Sequence, residues 1–417
     1  MLQQGQFVAD VLYVYGEDNN ITALFGDKLP DIPEGYNYDF INAGAISKGL
    51  SVENNRLFTP GGTRYRLLAL DTSTEYMSLP VLKRVKALVY DGAIVTGTKP
   101  VNTPSLSDEE DQFRAIADEL WKNETGVNIL GKGKVYAGKN IKQVLEELDI
   151  KEDFSYTRPM NDTEVLFVHR KINDGDVYWV NNRNNRFEDI DATFRVSGKT
   201  PELWNPETGN ISEISYEIEN GLTTASLQLK PNDAIFIVFR NRTDKLSREL
   251  PVKDKKQLAV LEGTWDISFQ PDRGAPEKMV MKKLSSWSES EDTGVKYFSG
   301  TATYSRSIQV PQRWIQSTGN IVMDLGEVKN IAEVVINGES IGIVWKAPFR
   351  VDITDTLIEG ENRLEIKVTN LWVNRLIGDQ QPGIEKTYTY TTQAFYQANS
   401  PLLPSGLLGP VTIYEED

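Results

Sequence analysis

The amino-acid sequence predicts three folded segments: an α/β domain with a parallel sheet, followed by two β-sandwich domains. Apolar, strand-like runs alternate with helical periods as far as about residue 155. From 164 to 240 the pattern changes to short strands separated by turn residues. The strand-only pattern returns after a charged stretch and continues to the end of the chain. Strand–helix alternation is typical of parallel sheets, whereas strand-only patterns are typical of sandwiches.

The first segment, residues 1–155, is predicted to be a flavodoxin-like α/β domain. Its strands are apolar throughout, as expected for parallel strands covered on both faces. Pro80 stands early in one helical period, and Asn140 is a candidate cap for another. Residues 2–12 resemble the end of an amphipathic helix, which suggests that the chain starts within a longer protein. The predicted strands are residues 9–17, 38–42, 65–70, 93–97 and 134–137, and the predicted helices are residues 80–90, 108–124 and 140–148.

The second segment, residues 156–241, is predicted to be a small β-sandwich. Residues 242–256 follow it, and they are charged and lack aromatic side chains, so we interpret them as a linker. The predicted strands of the sandwich are residues 164–172, 176–182, 191–198, 214–220, 224–230 and 234–240.

The third segment, residues 257–417, carries the clearest hairpin signal in the chain. Asn337 and Gly338 stand between two strand-like runs and supply the positive φ angles that a tight hairpin requires. Residues 364–368 then alternate apolar and polar side chains, which indicates a strand with one buried face. Short strands joined by turn residues predict a second β-sandwich.

Composition excludes several classes of function. The net charge of −15 argues against a nucleic-acid partner, because such partners need a basic surface, but it is compatible with a neutral sugar. The chain has no cysteine, so disulfides and thiolate nucleophiles are excluded. Its single histidine, His169, is more typical of a hydrogen-bonded structural residue than of a catalytic base. No run of about 18 apolar residues is present, so we expect no membrane span.

Several stretches of the sequence resemble two families of glycoside hydrolases. Two of them, FSGTATY (298–304) and VVINGESIGIVWKAPFRVDITDTLIEGENRLEIKVTN (334–370), resemble the sugar-binding jelly-roll domain of family 2 enzymes, which has a galactose-binding-like fold. Four further stretches resemble the family 106 enzymes, which are α-L-rhamnosidases. They are LQQGQFVADVLYVYGE (2–17), GYNYDFIN (35–42), LWVNRLIGD (371–379) and PSGLLGP (404–410).

The family 106 resemblance implies an order of domains and a function. It implies an α/β domain resembling glutamine amidotransferases, then a sandwich, then the jelly roll, with a catalytic barrel that lies before this segment. The amidotransferase reaction needs a cysteine nucleophile, which is absent, so we expect that domain to be non-catalytic. The chain is then expected to be a C-terminal accessory part of an enzyme that acts on rhamnose-containing polysaccharide. The resemblance also implies a periplasmic or secreted location.

No catalytic residue is assigned in this chain, because the resemblance places the catalytic glutamates in the barrel. We expect no catalytic cofactor. Two alternatives remain open: a stand-alone carbohydrate-binding protein, and a complete enzyme of another kind that uses carboxylates in the α/β domain. The sequence upstream of Met1 would distinguish them.

The candidate carbohydrate-binding residues follow the strand at residues 364–368. Indole rings stack on the apolar faces of sugars, and amide, guanidinium and carboxylate groups bind hydroxyls. These residues are expected to contact sugar or the barrel, although tryptophans in sandwiches are often core residues. The set is Trp345, Trp372, Asn374, Arg375 and Asp379.

A structural calcium ion is a further expectation, since jelly rolls of this kind often hold one through carbonyl and carboxylate oxygens. Asp352, Asp355 and Glu361 lie at turns of suitable character, although their spacing is not that of an EF-hand loop.

Overall fold

The structure is a computed structural model that describes residues 1–17, 30–71, 75–251 and 255–416. The chain divides into two compact units, Met1–Leu250 (unit 1) and Pro251–Asp417 (unit 2). The chain is a multidomain, mostly β-sheet protein with a mixed sheet near the N-terminus, as the sequence predicts.

The first part of unit 1 is built on a six-stranded sheet in the order β3-β2-β7-β8-β10-β9. The first five of these strands are parallel, and β9 pairs antiparallel with β10 at the edge. A separate three-stranded sheet contains β4, β5 and β6. The elements are strands β1 (Gln6–Phe7), β2 (Val11–Val14), β3 (Tyr38–Ile41), β4 (Ser51–Glu53), β5 (Arg56–Phe58), β6 (Arg64–Tyr65), β7 (Leu67–Leu70), β8 (Ile94–Thr96), β9 (Gly126–Leu130) and β10 (Gly133–Ala137), and helices α1 (Ala43–Gly49), α2 (Leu79–Asp91), α3 (Glu110–Leu120) and α4 (Ile141–Glu147).

The sheet is apolar on both faces because each face packs against its own core. All four residues of β2 are buried, with Leu12 and Val14 in one cluster and Val11 and Tyr13 in another. Asn140 caps α4 through a reciprocal capping box, which confirms the cap predicted from sequence. The five predicted strands and three predicted helices are all present, with end points that differ from the predicted ones by at most four residues.

One expectation for this part is wrong. Residues 2–12 do not end a helix: Gln6–Phe7 form strand β1, which pairs antiparallel with β12 of the next part. The apolar spacing that suggested a helix instead reflects pairing with residues more than 160 positions away, at Arg170 and Lys171. Short apolar runs do not separate helix from strand without knowledge of such partners.

The second part of unit 1 consists of two antiparallel sheets around one shared core. Their orders are β1-β12-β13-β19-β15-β16 and β11-β14-β18-β17-β20, and Tyr178, Phe194 and Phe239 lie fully buried between them. The strands are β11 (Phe154–Tyr156), β12 (Val165–Ile172), β13 (Gly175–Asn182), β14 (Glu188–Phe194), β15 (Lys199–Trp204), β16 (Ile211–Glu213), β17 (Tyr216–Glu219), β18 (Leu222–Leu229), β19 (Ala234–Arg242) and β20 (Ser247–Arg248).

Strand β15 is missing from the sequence prediction. It contains Pro201, and proline usually argues against a strand because it cannot donate a ladder hydrogen bond. The register against β19 shifts between Lys199 and Pro201, and this irregularity accommodates the ring.

Unit 2 is a second pair of sheets with one core between them. A six-stranded sheet, β23-β22-β24-β30-β27-β28, faces a four-stranded sheet, β21-β32-β25-β29, and β26 pairs with β31 separately. The elements are strands β21 (Lys255–Val260), β22 (Trp265–Phe269), β23 (Lys278–Met281), β24 (Thr301–Val310), β25 (Asn320–Asp324), β26 (Glu327–Lys329), β27 (Ile331–Ile336), β28 (Glu339–Val344), β29 (Arg350–Asp352), β30 (Gly360–Thr369), β31 (Gly406–Gly409) and β32 (Thr412–Glu416), and helices α5 (Thr293–Lys296), α6 (Gln312–Ile315) and α7 (Val373–Gly378).

Local sequence determines the centre of this unit. Asn337 and Gly338 have φ angles of 53° and 86° and join β27 to β28, which confirms the predicted hairpin. Leu364, Ile366 and Val368 of β30 are fully buried, as their alternation predicts. Strand β30 ends at Thr369, and α7 begins four residues later, so a buried core strand leads directly into the helix that carries candidate site residues.

The domain boundaries at 155/156 and 241/242 stay predictions. Strand β11 spans the first of them, and β19 extends to Arg242 at the second. Within the predicted linker, β20 pairs with β17, and Leu250 donates its backbone N–H to Ser215. The rest of the linker prediction includes 252–254, which lie outside the described residues.

We expect limited trypsin digestion to cut first within residues 242–256. Lys245 is exposed there, and the division between the two units falls at Leu250 and Pro251. Accessible, weakly packed connections are the preferred sites of nicking. Mass spectrometry of the first fragments measures the position, and a first cut within residues 257–417, with 242–256 intact, would contradict the boundary.

Candidate functional site

The candidate site is built on helix α7 of unit 2. Trp372 precedes the helix, and Asn374 and Arg375 lie in its first turn on the buried side. Gly378 closes the helix against Tyr297: a Cβ added at this glycine would lie 2.6 Å from the Tyr297 Cβ. A glycine is therefore needed here for close approach, and α7 is fixed against the body of the unit.

Arg375 and Asp379 form a buried ion pair. Arg375 Nε lies 2.9 Å from Asp379 Oδ1, and the two side chains are only 6% and 4% exposed. The contact is not a linear hydrogen bond, so the attraction is mainly between the two charges. The guanidinium also lies over the rings of Tyr388 and Tyr297, at 4.9 and 5.9 Å from their centroids, where cation–π attraction applies.

The same helix fixes the long segment that follows it. The other carboxylate oxygen of Asp379, Oδ2, accepts hydrogen bonds from the backbone N–H groups of Tyr388 and Thr389 at 2.9 and 2.8 Å and from the Thr389 hydroxyl at 2.6 Å. Asn374 donates to the Leu403 carbonyl at 2.7 Å and accepts from the Leu403 N–H at 2.8 Å. These bonds hold both the middle and the end of the segment against α7.

The structure thus separates the predicted sugar-contact set into two groups. Asn374, Arg375 and Asp379 are buried and bonded within the unit, and Arg375 and Asp379 contact each other. Trp345 and Trp372 are 61% and 67% exposed. Trp345 follows β28, whereas Trp372 stands at the start of α7. Direct sugar contact by these residues stays a prediction.

Two small cavities flank α7. One, of about 180 Å³, is lined by residues that include Asn330, Asn374 and Ser405. The other, of about 200 Å³, lies beside the following segment and is lined by residues that include Gln380, Tyr390 and Phe395. Neither cavity is lined by Trp345 or Trp372.

Sequence reasoning missed two exposed aromatic side chains at this second cavity. Tyr390 and Phe395 are 88% and 75% exposed. The available signal was the stretch TYTYTTQAFY at 387–396, which places four aromatic residues within ten positions.

No calcium ligand set is assembled at the predicted turns. Asp352 accepts hydrogen bonds from the backbone and hydroxyl of Thr354, and Glu361 accepts one from Ser307. Within the described ranges no group of three or more His, Cys, Asp or Glu side chains is arranged to hold a metal ion. Calcium binding through carbonyl and carboxylate oxygens stays a prediction.

A second cluster of charged residues lies in unit 1 around His169. Its ring lies between two carboxylates, with Nδ1 at 2.9 Å from Asp153 Oδ2 and Nε2 at 3.2 Å from Asp176 Oδ1, which confirms that His169 is hydrogen-bonded. The ring stacks on Tyr178 at 4.0 Å between centroids. Arg195 connects this cluster to Asp10, at 2.8 Å.

The electrostatics of the cluster favour a charged histidine. Burial opposes the charge, but the hydrogen bonds and charges of Asp153 and Asp176 outweigh burial and raise the pKa of His169. Burial likewise opposes ionisation of Asp176, yet hydrogen bonds from His169 and Lys199 lower the pKa of Asp176 to about 2. With both ring nitrogens engaged, His169 is not free to act as a base.

Comparison with protein families places the chain among the glycoside hydrolases. A family profile described as alpha-L-rhamnosidase, glycoside hydrolase family 106, matches residues 1–218, and the sugar binding domain of family 2 matches residues 288–397. The first match covers more than half of the chain, so the chain belongs to the family 106 alpha-L-rhamnosidases. Both resemblances inferred from the sequence are thereby confirmed.

Solved and curated relatives extend the comparison over the whole chain. A rhamnosidase from Novosphingobium sp. PP1Y is 39% identical with a TM-score of 0.90, covering 100% of this chain and 40% of that one. A curated protein from Formosa agariphila named "Putative beta-glucuronidase" is 26% identical, covering 99% of this chain and 56% of that protein. The chain therefore spans about half or less of the relatives that it matches.

The match to the family 2 sugar binding domain lies within unit 2. The matched residues, 288–397, include α7 and both exposed aromatic residues of the second cavity. In the part of the chain that the structure describes, no helix is long and apolar enough to cross a membrane.

Proposed function

We propose that this chain acts as the C-terminal accessory part of an α-L-rhamnosidase that hydrolyses rhamnose-containing polysaccharide. One observation carries the proposal: the whole chain superimposes on a solved rhamnosidase with a TM-score of 0.90 while covering 40% of it. In this proposal a catalytic barrel is the partner that supplies the reacting carboxylates. The chain positions and stabilises the substrate site, and it works in the periplasm or outside the cell without a nucleic-acid partner.

The finer fold assignments support an accessory role. The five parallel strands of the first sheet, numbered among themselves, lie in the order 2-1-3-4-5, which is the flavodoxin-like order. We infer a domain of the glutamine amidotransferase kind that has lost its chemistry, since the chain has no cysteine nucleophile. Unit 2 is inferred to be a galactose-binding-like jelly roll, consistent with two facing sheets and the family 2 match.

The first test is activity of the purified chain. We expect no cleavage of an aryl α-L-rhamnoside above background, because both carboxylates of a glycosidase must face each other across a substrate site. Turnover well above background that is abolished by changing one carboxylate of this chain would refute the proposal. It would favour the alternative of a complete enzyme with its own catalytic pair.

Reconstitution supplies the positive arm of the test. We expect turnover of the aryl α-L-rhamnoside when this chain replaces the matched 40% of the Novosphingobium rhamnosidase. An aryl β-glucuronide is the comparison substrate, since the Formosa agariphila relative carries a glucuronidase name. Cleavage of the glucuronide alone would contradict the proposed substrate class. Such a result would mean that this chain directs the barrel towards a glucuronide and not towards a rhamnoside.

A stand-alone carbohydrate-binding protein is the second candidate function. The family 2 sugar binding domain in unit 2 favours it, since that match does not depend on a barrel. Sugar binding by the chain, together with failure of the chimera to fold or to turn over rhamnoside, would favour this candidate.

A further inference from the structure

The segment between α7 and β31 is long, irregular and firmly attached. Residues 379–405 contain no helix or strand, whereas connections in compact domains are commonly about 4–6 residues long. Asp379 accepts three hydrogen bonds from Tyr388 and Thr389, and Gln381 donates to the Ala398 carbonyl at 2.8 Å. Long ordered loops of this kind usually have a function, because their order must be maintained by contacts built for it.

The attachment fixes the backbone but leaves two rings outside the core. Tyr388 packs inward under the Arg375 guanidinium, 4.9 Å from its ring centroid. Two residues later Tyr390 is 88% exposed, and Phe395 is 75% exposed. Neither ring contributes appreciable burial to the stability of unit 2. Rings held in place at a surface without a folding role are typical of binding sites.

Both rings border one cavity whose other lining residues are mixed, with polar side chains beside Leu376, Ala394 and Tyr396. The cavity, of about 200 Å³, is small beside typical ligand pockets of roughly 300–1,000 Å³, so it suits a single ring rather than a long chain. Gln380 and Gln393 are among its lining residues, together with Thr391, whose hydroxyl is bonded to the backbone of Gln393. Side-chain amides both donate and accept, which matches the hydroxyl rim of a sugar.

We propose that Tyr390 and Phe395 form an aromatic platform that binds one neutral pyranose ring. The apolar face of the sugar stacks on the two rings, and its hydroxyls bond to the side-chain amides of Gln380 and Gln393. The buried Arg375–Asp379 pair acts at one remove, as a positioning pair that holds the backbone at Thr389. This inference deepens the proposed function, since it rests on the carbohydrate role of unit 2.

The charge of the cavity specifies a neutral sugar. The lining residues include no lysine, arginine or histidine, and they include the carboxylate of Asp379. An acidic sugar would therefore find no cation in the lining to balance its charge, because Arg375 is already paired with Asp379, in a chain whose net charge is −15. A neutral deoxyhexose such as rhamnose meets no such penalty.

The test is titration of the whole chain with methyl α-L-rhamnopyranoside, followed by saturation-transfer NMR. We expect a dissociation constant that is roughly millimolar, as is usual for one small ring. The double variant Tyr390→Ala/Phe395→Ala is expected to bind about tenfold more weakly, while its thermal unfolding is unchanged because both rings are exposed. Methyl β-D-glucuronopyranoside is expected to bind less tightly than the rhamnoside.

Two matched variants make the result specific. Phe187→Ala removes a ring of unit 1 that is 46% exposed and should bind the rhamnoside as wild type does, whereas Trp372→Ala tests the rival sugar contact at the exposed indole beside α7. Unchanged binding in the double variant, or loss of binding in Trp372→Ala instead, would overturn the platform while leaving a sugar-binding unit in place. Absence of rhamnoside binding by the wild-type chain would also overturn it. The chimera assay decides the proposed function separately, because turnover there does not require this platform.

Discussion

Arg375→Ala is expected to lower the free energy of unfolding of unit 2 by about 3–5 kcal/mol, the usual cost of removing one partner of a buried ion pair. Asp379 would keep its negative charge at 4% exposure, without the guanidinium 2.9 Å away. The rings of Tyr388 and Tyr297 would also lose the cation that lies over them. Hydrogen exchange of peptides from unit 2 measures this, since the slowest amides report the global opening free energy.

The matched control for this prediction is Trp372→Ala. Trp372 is three residues from Arg375 but 67% exposed, so its removal should cost about 1 kcal/mol or less. Faster exchange in residues 387–403 of the Arg375→Ala variant is expected to exceed any change elsewhere, because Asp379 holds that segment. An Arg375→Ala variant as stable as Trp372→Ala would mean that the ion pair is not a folding contact.

The two variants also separate two roles that the sequence alone assigned together. From the sequence, Trp372, Asn374, Arg375 and Asp379 were expected to matter for joining the barrel or the sugar more than for folding. The burial of the last three adds a folding role for them. Trp372 is the member of this set whose exposure still fits the original expectation.

Local signals in the sequence predicted local structure well. Asn337 and Gly338 specify their hairpin, because the positive φ angles are required by the turn itself. The alternation at residues 364–368 gives the buried face of β30 for the same reason: period 2 is a property of one strand. The strand and helix order of the first sheet follows from apolar runs of the right length.

Burial of polar residues could not be predicted in this way. Arginine side chains are mostly exposed in proteins, and the burial of Arg375 is decided by Tyr388 and Tyr297, 13 and 78 positions away. Strand β1 could not be predicted from local sequence for a similar reason, since its partner strand is β12. Sequence spacing carries the period of an element but not the identity of its distant neighbours.

Asp153→Asn is the second substitution expected to have a large effect, this time in unit 1. The Asp153 carboxylate accepts from Tyr178 at 3.0 Å, bonds to His169 at 2.9 Å and lies 3.4 Å from Arg195. An amide of the same shape removes the negative charge beside the buried His169 and the partly exposed Arg195. We expect a loss of about 3–5 kcal/mol, and Asp189→Asn, an exposed carboxylate on β14, should cost about 0.5 kcal/mol or less.

The pH dependence of stability tests the charge states of His169 and Asp176 in the same cluster. The pKa of His169 is raised in the folded state, so its contribution is fully present below the unfolded value of about 6.5 and is lost as pH rises through the folded pKa. The pKa of Asp176 is lowered to about 2, so its contribution is present above its unfolded value and is lost as pH falls towards 2. Both contributions are therefore complete between about pH 4 and pH 6.5.

Calorimetry from pH 4 to pH 9 tests this window. For the wild-type chain, the transition that Asp153→Asn lowers should be most stable near the acidic end and should weaken as the pH rises beyond 6.5. His169→Gln keeps a hydrogen-bonding side chain but cannot be charged, so its stability should be lower at pH 5 and nearly independent of pH from 6 to 9. A wild-type transition that strengthens as pH rises above 6.5 would show that His169 is neutral in the folded protein. The two carboxylates would then not be holding a charge between them.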